Sequence, residues 1–425
     1  MLRRSLTAGL ALAGVLAVTG PAHAATTITP QQAAEYGAGW VGRQLDATGY
    51  VSGLGGPDYN TTALGVLALV AAGIGEEQAA AATSYLMSHV DAYVVDADSH
   101  DRPAALAALI LVAHARGLDP AALVTRLLAT QQTTGADKGL FGAQDATYDG
   151  AYRQGLALLA LDAVGQTNAD AVAWLTAEQC ADGGWMGNRP DQAAACPAFD
   201  FTSFVGEDSN GTAVATQALA AVGATPAYDP RDFLADAQNA DGGFGFVPGF
   251  GSDANSTALA IQALLALGED LGDWAAPQGT PYSFLLSLQL PNPPATTAGA
   301  FAFQAGAGGK LTANAYATVQ AVPALAGKTF PLAPATLADT LPLLPAAVTA
   351  PTATPTPTAV VTPAAPKPTA APTRAVAAAP VPELPDTGPV GAKPWDATGQ
   401  VVFGLGLVGY GLLALGGARL ARRRG

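Results

Sequence analysis

The sequence predicts an all-α domain, an α6/α6 toroid in which about twelve helices form two concentric rings. Three observations predict it. A unit of two helical segments recurs six times between residues 25 and 330, the segments are apolar around most of their circumference, and most second segments stop at a glycine. Helices that are apolar on several faces must lie between other layers. Two rings, with the second helix of each pair inside, would bury them, whereas a linear solenoid would need polar capping repeats.

The repeated unit is clearest in its fourth and fifth copies. The fourth reads AWLTAEQCADGGW and then DSNGTAVATQALAAVG, and the fifth reads FLADAQNADGGFGF and then DANSTALAIQALLALG. We expect a first helix that ends at a glutamine, a Gly-Gly turn with an aromatic residue, a loop, and a second helix. In the fourth unit this second helix should begin at Asp208 and stop at Gly223. The second unit has lost the glycine turn, and the sixth has lengthened it.

The start of each second helix is the most informative position for function. An aspartate occupies it in five units, and an asparagine follows two residues later in three: Asp58, Asp101, Asp149, Asp208 and Asp253, with Asn60, Asn210 and Asn255. Aspartate is a strong helix N-cap, so capping is the simplest interpretation. If the inner helices run parallel, these residues also converge at one mouth of the ring, where an apolar pocket with a polar rim would suit a ligand. The other candidate rim residues are Tyr59, His100, Arg102, Tyr148, Tyr152 and Arg153.

Both ends of the chain carry targeting patterns. Arg3 and Arg4 precede an apolar stretch and a small-x-small site that predicts cleavage between Ala24 and Ala25, so residues 1–24 are expected to be a signal peptide. Residues 384–425 begin with Leu-Pro-Asp-Thr-Gly and continue into an apolar run and a basic cluster. This order resembles the LPxTG cell-wall sorting signal, which implies cleavage by a sortase between Thr387 and Gly388 and attachment to peptidoglycan through Thr387. The apolar helix would hold the protein in the membrane before sorting, or permanently if it is not cut.

The segment before the sorting signal is rich in Pro, Thr and Ala. Residues 331–383 are expected to form a disordered stalk, since this composition cannot bury a core and favours extended polyproline II structure. Threonines in such a stalk are candidate O-glycosylation sites.

Charge and cysteine usage narrow the class of partner. The chain has a net charge of −14 from 19 basic and 33 acidic residues. Seven of the basic residues and one acidic residue lie in the two removable ends, so the mature chain would hold 12 and 32. Such a surface repels nucleic acid and favours cationic partners. Cys180 and Cys196 are the only cysteines, and in an exported protein we expect a disulfide rather than a metal site, because zinc needs more ligands than this region offers.

The repeat resembles known families. Gln179, Gly183 and Trp185 have the spacing of the QW motif of squalene and other triterpene cyclases, and the second helices resemble those of the transcobalamin and intrinsic-factor family. Both resemblances imply an α/α toroid. The cyclase D-x-D-D box is incomplete at Asp96-Ala97-Asp98-Ser99, and the ligand sets of the prenyltransferase zinc site and the complement thioester are absent.

The function is therefore predicted mainly from the site. The transcobalamin resemblance implies a corrinoid over the inner-helix N-termini, with His100 as the rim histidine that could reach cobalt; transcobalamins, however, close over their ligand with a second domain, whereas this chain continues into its stalk. We expect a non-enzymatic, surface-displayed protein that binds a ligand or partner at the acidic mouth. The alternative is a surface enzyme, either a degenerate terpenoid cyclase or a polysaccharide-acting toroid in which two carboxylates such as Asp149 and Asp208 act as acid and base.

Overall fold

The computed structural model describes residues 28–45, 48–143, 150–187, 189, 194–200 and 205–346. These residues form a helix-rich domain, so the predicted all-α class is confirmed. The predicted signal peptide, the Pro-rich residues 347–383 and the sorting signal lie outside the described residues, and so do the predicted cleavage positions Ala24, Ala25, Thr387 and Gly388. Within the described part of the chain, no helix combines the length and the apolar composition that crossing a membrane requires.

The helices follow the six predicted pairs, with one short additional helix in the second pair. In chain order they are α1 Pro30–Leu45, α2 Tyr59–Ala72, α3 Glu76–Ser88, α4 Val90–Val94, α5 Pro103–Ala115, α6 Ala121–Ala129, α7 Gly150–Ala163, α8 Ala169–Ala177, α9 Ser209–Ala221, α10 Pro230–Ala237, α11 Ala254–Ala266, α12 Pro281–Ser287 and α13 Ala315–Leu325. A small hairpin precedes α2, in which β1 (Val51–Gly53) pairs antiparallel with β2 (Gly56–Asp58) and Val51 lies opposite Asp58. A single 3-10 turn spans Ala307–Gly309.

Six of these helices pack against one another in a closed cycle. The order around the cycle is α2, α5, α7, α9, α11 and α13, and α13 returns to α2. The first helix of every pair packs on the outside of this inner ring, as α1 does on α2 and α13. Nearly every residue of α2, α5, α9 and α11 is buried. The apolar composition of these helices on all faces follows from this position, because both their inward and outward sides contact other helices.

Glutamine side chains fasten neighbouring pairs to one another. Gln179 Nε2 donates hydrogen bonds to the carbonyl of Gly183 in its own turn (3.0 Å) and to that of Tyr228 ahead of α10 (2.9 Å). Gln289 does the same at the end of the ring, where it bonds the carbonyls of Gly299 (3.1 Å) and of Ala33 in α1 (2.9 Å). The last pair is thereby joined to the first. Gly183 has a φ of 94°, and a Cβ at this position would collide with the Asp229 carbonyl, so the turn requires glycine.

The folded unit extends beyond the predicted boundary at residue 330. Residues 331–346 pack along the ring, with Leu332, Leu337 and Leu344 buried. Ala338 pairs with the segment after α2, where its N–H donates to Gly73 (2.9 Å) and its carbonyl accepts from Gly75 (2.7 Å). The expected stalk therefore does not begin at residue 331, because three widely spaced leucines hold this Pro-rich segment on the domain.

Candidate functional site

The two faces of the ring differ in the length of their loops. In each unit, the connection that leads into the inner helix is longer than the one that leaves it. In the fourth unit, for example, residues 178–208 precede α9, whereas residues 222–229 follow it. Within each unit the longer loop therefore lies on the face where the inner helices begin, which we call the mouth face. Loops on a rigid scaffold are a common place for binding residues, so this face is the candidate site.

Three of the five predicted aspartates cap inner helices. Asp58 accepts a hydrogen bond from the Thr61 N–H (2.9 Å), Asp208 from Gly211 (2.7 Å) and Asp253 from Ser256 (2.8 Å). These contacts satisfy amides that have no partner within the helix.

The other two predicted caps have different outcomes. Asp101 is not a cap, because α5 begins after Arg102 and Asp101 instead forms an ion pair with Arg126 of α6. Asp149 and Tyr148 lie outside the described residues. The sixth cap is Asn314, which accepts from Ala317 (2.8 Å) and was missed. Its spacing to Thr318 equals that of Asp58 to Thr62, so the pattern of a cap followed four residues later by threonine could have identified it.

The inner helices present one continuous face to the ring axis. A central cavity is lined by residues at i, i+4 and i+7, such as Asn60, Leu64 and Leu67 of α2. On α9 and α11 the cavity is lined by Val214 and Leu259, so the residues one turn earlier, Asn210 and Asn255, lie on the same face nearer the mouth. We call the residues at this level the top layer. In ring order they are Asn60, Ala104, Tyr152, Asn210, Asn255 and Tyr316.

The space inside the ring is small. The cavity measures about 30 Å³, enough for a few water molecules. At the far end it is bordered by Pro323 of α13 and by Phe330, whose N–H donates to Gln217 Oε1 (3.4 Å). Gln262 Nε2 bonds the Lys328 carbonyl nearby (3.0 Å). The pocket that the inner helices line is thus too small to enclose a corrinoid.

Tyrosines span the mouth. Tyr152 of α7 and Tyr316 of α13 are joined by a side-chain hydrogen bond, although their helices lie on opposite sides of the ring. Gln320 supports this pair by donating to the Tyr316 hydroxyl (3.0 Å), and Tyr93 of α4 donates to Asn60 Oδ1 (3.1 Å). Burial raises the pKa of Tyr152 to about 12 and also raises the pKa values of Tyr93 and Tyr316. These hydroxyls therefore remain protonated at neutral pH and act through hydrogen bonds.

A run of aromatic rings leads from the surface to the α2 side of the mouth. Tyr59, a predicted rim residue, stacks on Tyr85 (ring centroids 6.1 Å apart) and on Tyr93 (5.7 Å). Tyr50 and His89 extend this stack through Tyr85. Sequence reasoning missed Tyr85 and Tyr93 because they lie on α3 and α4, outside the cap pattern that defined the rim.

The predicted basic rim residues have different locations. Arg102 donates a hydrogen bond to the Tyr93 carbonyl, and its guanidinium lies 5.9 Å from the centroid of the Tyr93 ring. Arg153 is buried in α7 and donates to the Ala143 carbonyl (2.9 Å). The side chain of His100 is 78% exposed, in a loop where its Nδ1 lies 3.8 Å from Asp96. His100 therefore does not belong to the top layer.

The acidic residues near α9 and α11 have unusual proton affinities. Burial raises the pKa of Asp208 to about 7 and that of Asp253 to about 6, although hydrogen bonds from the helix amides oppose the shift. Burial also raises the pKa of Glu207 to about 8, helped by a hydrogen bond to Asp182. Among the described residues, neither Asp208 nor Asp253 forms an ion pair.

Cys180 and Cys196 form a disulfide, with their Cα atoms 5.9 Å apart. Their sulfur atoms and a carboxylate oxygen of Glu207 lie within 4.8 Å of one another. Zinc is bound by thiolates, so the oxidised pair does not supply the ligands for a zinc site.

Two top-layer amide oxygens have no hydrogen-bond partner in the described part of the chain. Asn210 and Asn255 are each 5% exposed, and their Oδ1 atoms are buried without a donor. Deeper in the ring, Gln217 Nε2 and Gln320 Oε1 also lack partners. All four side chains belong to α9, α11 and α13, whereas α2, α5 and α7 line the cavity below the top layer with leucine and alanine. The ring interior therefore has one polar wall with unmet hydrogen bonds and one apolar wall.

Comparison with known proteins adds no assignment. No protein-family model matches the chain, and no curated protein is significantly similar to it.

Proposed function

We propose that this protein is an α6/α6 toroid displayed on the cell surface and that it binds a partner at its mouth face without catalysing a reaction. The observation that carries the proposal is the narrow interior, a cavity of about 30 Å³ beneath a rim of polar and aromatic groups. A protein that encloses a lipid needs a wide apolar cavity, whereas a narrow ring interior suits binding at the rim and its long loops. The closed cycle of six inner helices supports the toroid, and the net charge of −14 favours a cationic partner.

Display on the surface rests on residues outside the described part of the chain. The signal peptide would direct export, and a sortase would then join Thr387 to peptidoglycan. Residues 347–383 would serve as the spacer between wall and ring. If this is so, Thr387→Ala should move the protein from the cell-wall fraction to the membrane fraction, measured by immunoblot of fractionated cells. Equal wall attachment of the variant would rule out sorting.

Binding at the mouth can be tested by blocking it. Ala104→Arg places a long side chain in the top layer, and Gln166→Arg places the same side chain at an exposed position on the opposite face. We expect the immobilised wild-type protein and Gln166→Arg to retain the same partner from secreted proteins and wall fragments of the producing cell. Ala104→Arg should retain at least tenfold less, as measured by quantitative mass spectrometry. Equal retention by all three proteins would contradict binding at the mouth, and a shift in the visible spectrum of added cobalamin would identify a corrinoid as the ligand.

One observation favours an enzyme as the second candidate function. Asp208 lies at the mouth with a pKa raised to about 7, which suits a general acid. A polysaccharide would be the substrate class. Asp208→Asn should then abolish release of sugar from a wall polymer, measured as reducing ends, while inactivity of the wild type across a broad glycan panel would eliminate this candidate.

A further inference from the structure

The α9 and α11 side of the mouth differs from the rest of the rim. We call Asp208, Asn210, Asp253 and Asn255 the asparagine side of the mouth. Asn210 and Asn255 occupy equivalent positions on two helices that pack against each other, and both lie on the face that lines the cavity. The inference below rests on the proposed binding at the mouth and concerns the chemistry that this side recognises.

Hydrogen bonding on the asparagine side is incomplete. Each amide oxygen is buried and has no donor among the described residues. Buried polar groups in folded proteins nearly always have partners, so two neighbouring exceptions on one face indicate that a donor comes from outside the described chain. Asn60, at the same level on α2, differs because its oxygen accepts from the Tyr93 hydroxyl.

The charge on this side is also unbalanced. Each helix N-terminus contributes roughly half a positive charge, whereas each ionised cap contributes a full negative charge. Above about pH 7, where Asp208 and Asp253 are both ionised, the two helix ends leave a deficit of about one positive charge. No lysine, arginine or histidine within the described ranges pairs with either carboxylate. Arg102 lies on the other side of the mouth, against Tyr93.

Two aromatic rings complete the surroundings. Tyr152 of α7 adjoins α9 in the ring, and Tyr316 of α13 adjoins α11, so the asparagine side has a tyrosine on either flank. Aromatic faces stabilise organic cations, and ammonium groups supply several hydrogen-bond donors together with one positive charge. Among the described residues, the asparagine side lacks both hydrogen-bond donors for its amide oxygens and a positive charge.

We propose that the asparagine side of the mouth binds a primary ammonium group carried by the partner. Asn210 and Asn255 accept hydrogen bonds from the ammonium group, and Asp208 and Asp253 balance its charge. The natural source would be a lysine side chain or another amine on an extended chain, since a primary ammonium group supplies three donors and one positive charge at the end of a slender stem.

The test compares an amine with its neutral form. Tetralysine and its fully Nε-acetylated counterpart are titrated into the purified protein by calorimetry. We expect tetralysine to bind the wild type and the acetylated peptide to bind at least tenfold more weakly. The double substitution Asn210→Leu with Asn255→Leu should reduce tetralysine binding at least tenfold, and Gln166→Leu should not change it. All variants keep the net charge, so general attraction to an acidic surface is the same in each.

Folding of the variants is checked in parallel. Leucine removes two buried amide oxygens that have no donor among the described residues, so the thermal midpoint of the double variant should be unchanged or higher. Should leucine not fit, Asn210→Ser with Asn255→Ser removes the same oxygens without added volume and should lose binding to the same extent.

Three results would overturn the proposal. Equal tetralysine binding by the wild type and a folded double variant would place the amine elsewhere. If tetralysine does not bind the wild type, the ligand is not an ammonium group. The proposed function would still stand if Ala104→Arg reduces capture of the partner. A thermal midpoint raised by calcium chloride in the wild type alone would assign these oxygens to a metal ion instead.

Discussion

The fourth and fifth helix pairs share one framework but secure their mouth-face loops by different chemistry. In both, the aromatic residue of the turn is fully buried, and its backbone N–H donates to the hydroxyl of a threonine in the inner helix. Trp185 donates to Thr212 (3.0 Å) and Phe244 donates to Thr257 (2.9 Å). The loop that follows is longer in the fourth pair, residues 187–206, than in the fifth, residues 246–251.

The difference begins at the residue that follows the glutamine at the end of the first helix, Gln179 in the fourth pair and Gln238 in the fifth. In the fifth pair this is Asn239, whose amide donates to the Phe250 carbonyl (2.7 Å) and to Ser252 Oγ (3.0 Å). In the fourth pair it is Cys180, which is bonded covalently to Cys196. A short loop is therefore held by hydrogen bonds, and a long loop, whose ordering costs more conformational entropy, is held by a disulfide.

A second difference lies just before the cap. Ser252 donates to Asp241 Oδ1 (2.7 Å) in the fifth pair. Glu207 occupies the matching position in the fourth pair, since Met186 bridges to Glu207 as Gly245 bridges to Ser252. A carboxyl group can donate to Asp182 only when it is protonated. The same contact is therefore independent of pH in one pair and dependent on pH in the other.

The largest expected effect concerns what the two pairs share. Trp185→Ala and Phe244→Ala each remove a fully buried ring from the same position and should lower the free energy of unfolding by about 4 kcal/mol. Trp185 also loses the hydrogen bond from its Nε1 to the Leu175 carbonyl, so its effect should be the larger of the two. Urea denaturation followed by circular dichroism measures both. A loss below about 1 kcal/mol for either would show that the two turns are not equivalent.

The next effect separates the two ways of holding a loop. Cys180→Ser with Cys196→Ser opens a cross-link between residues 16 apart in sequence, which should cost about 3 kcal/mol of stability from loop-closure entropy. Asn239→Ala should cost about 1 kcal/mol, the value of ordinary hydrogen bonds. Both are measured by urea denaturation under non-reducing conditions. Equal costs would mean that the disulfide does not constrain the longer loop.

A smaller effect tests the threonine contacts. Thr212→Val and Thr257→Val preserve shape but leave a buried N–H without an acceptor, which should cost about 1 to 2 kcal/mol in each pair. Thr212→Ser and Thr257→Ser keep the hydroxyl and serve as controls. Hydrogen exchange should then accelerate at the Phe244 amide in Thr257→Val, and an unchanged exchange rate would argue against this contact.

The comparison also shows what the sequence could predict. Helix ends depend on local signals such as Asp208, Asp253 and the glycine after α2, so six pairs and three caps were predicted correctly. Packing between distant segments has no such signal. The leucines of residues 331–346 lie in a Pro-rich segment, whose composition predicts a stalk. Asp101 matches the cap pattern, and its ion pair with Arg126 could not be foreseen because it depends on how α6 packs on α5. The narrow cavity could not be predicted either, because it depends on how side chains of six helices fill the axis.

The smallest expected effect is the pH dependence of Glu207. Burial, and then the hydrogen bond to Asp182, raises its pKa to about 8 from an ordinary value near 4.5, so the protonated carboxyl group stabilises the fold fully below pH 4.5 and this contribution is lost as the pH rises to about 8. Arg189 opposes the shift, and solvent at the exposed Asp182 screens the interaction, so the loss should be about 1 kcal/mol. Glu207→Gln keeps a donor at every pH and should not show this loss. Asp208 and Asp253 titrate in the same direction in both proteins, so the difference between the wild type and Glu207→Gln, measured by urea denaturation from pH 5 to pH 9, isolates Glu207. Ser252→Ala should shift stability equally at all pH values, and a difference between wild type and Glu207→Gln that does not change with pH would show that the fourth pair, like the fifth, is insensitive to pH.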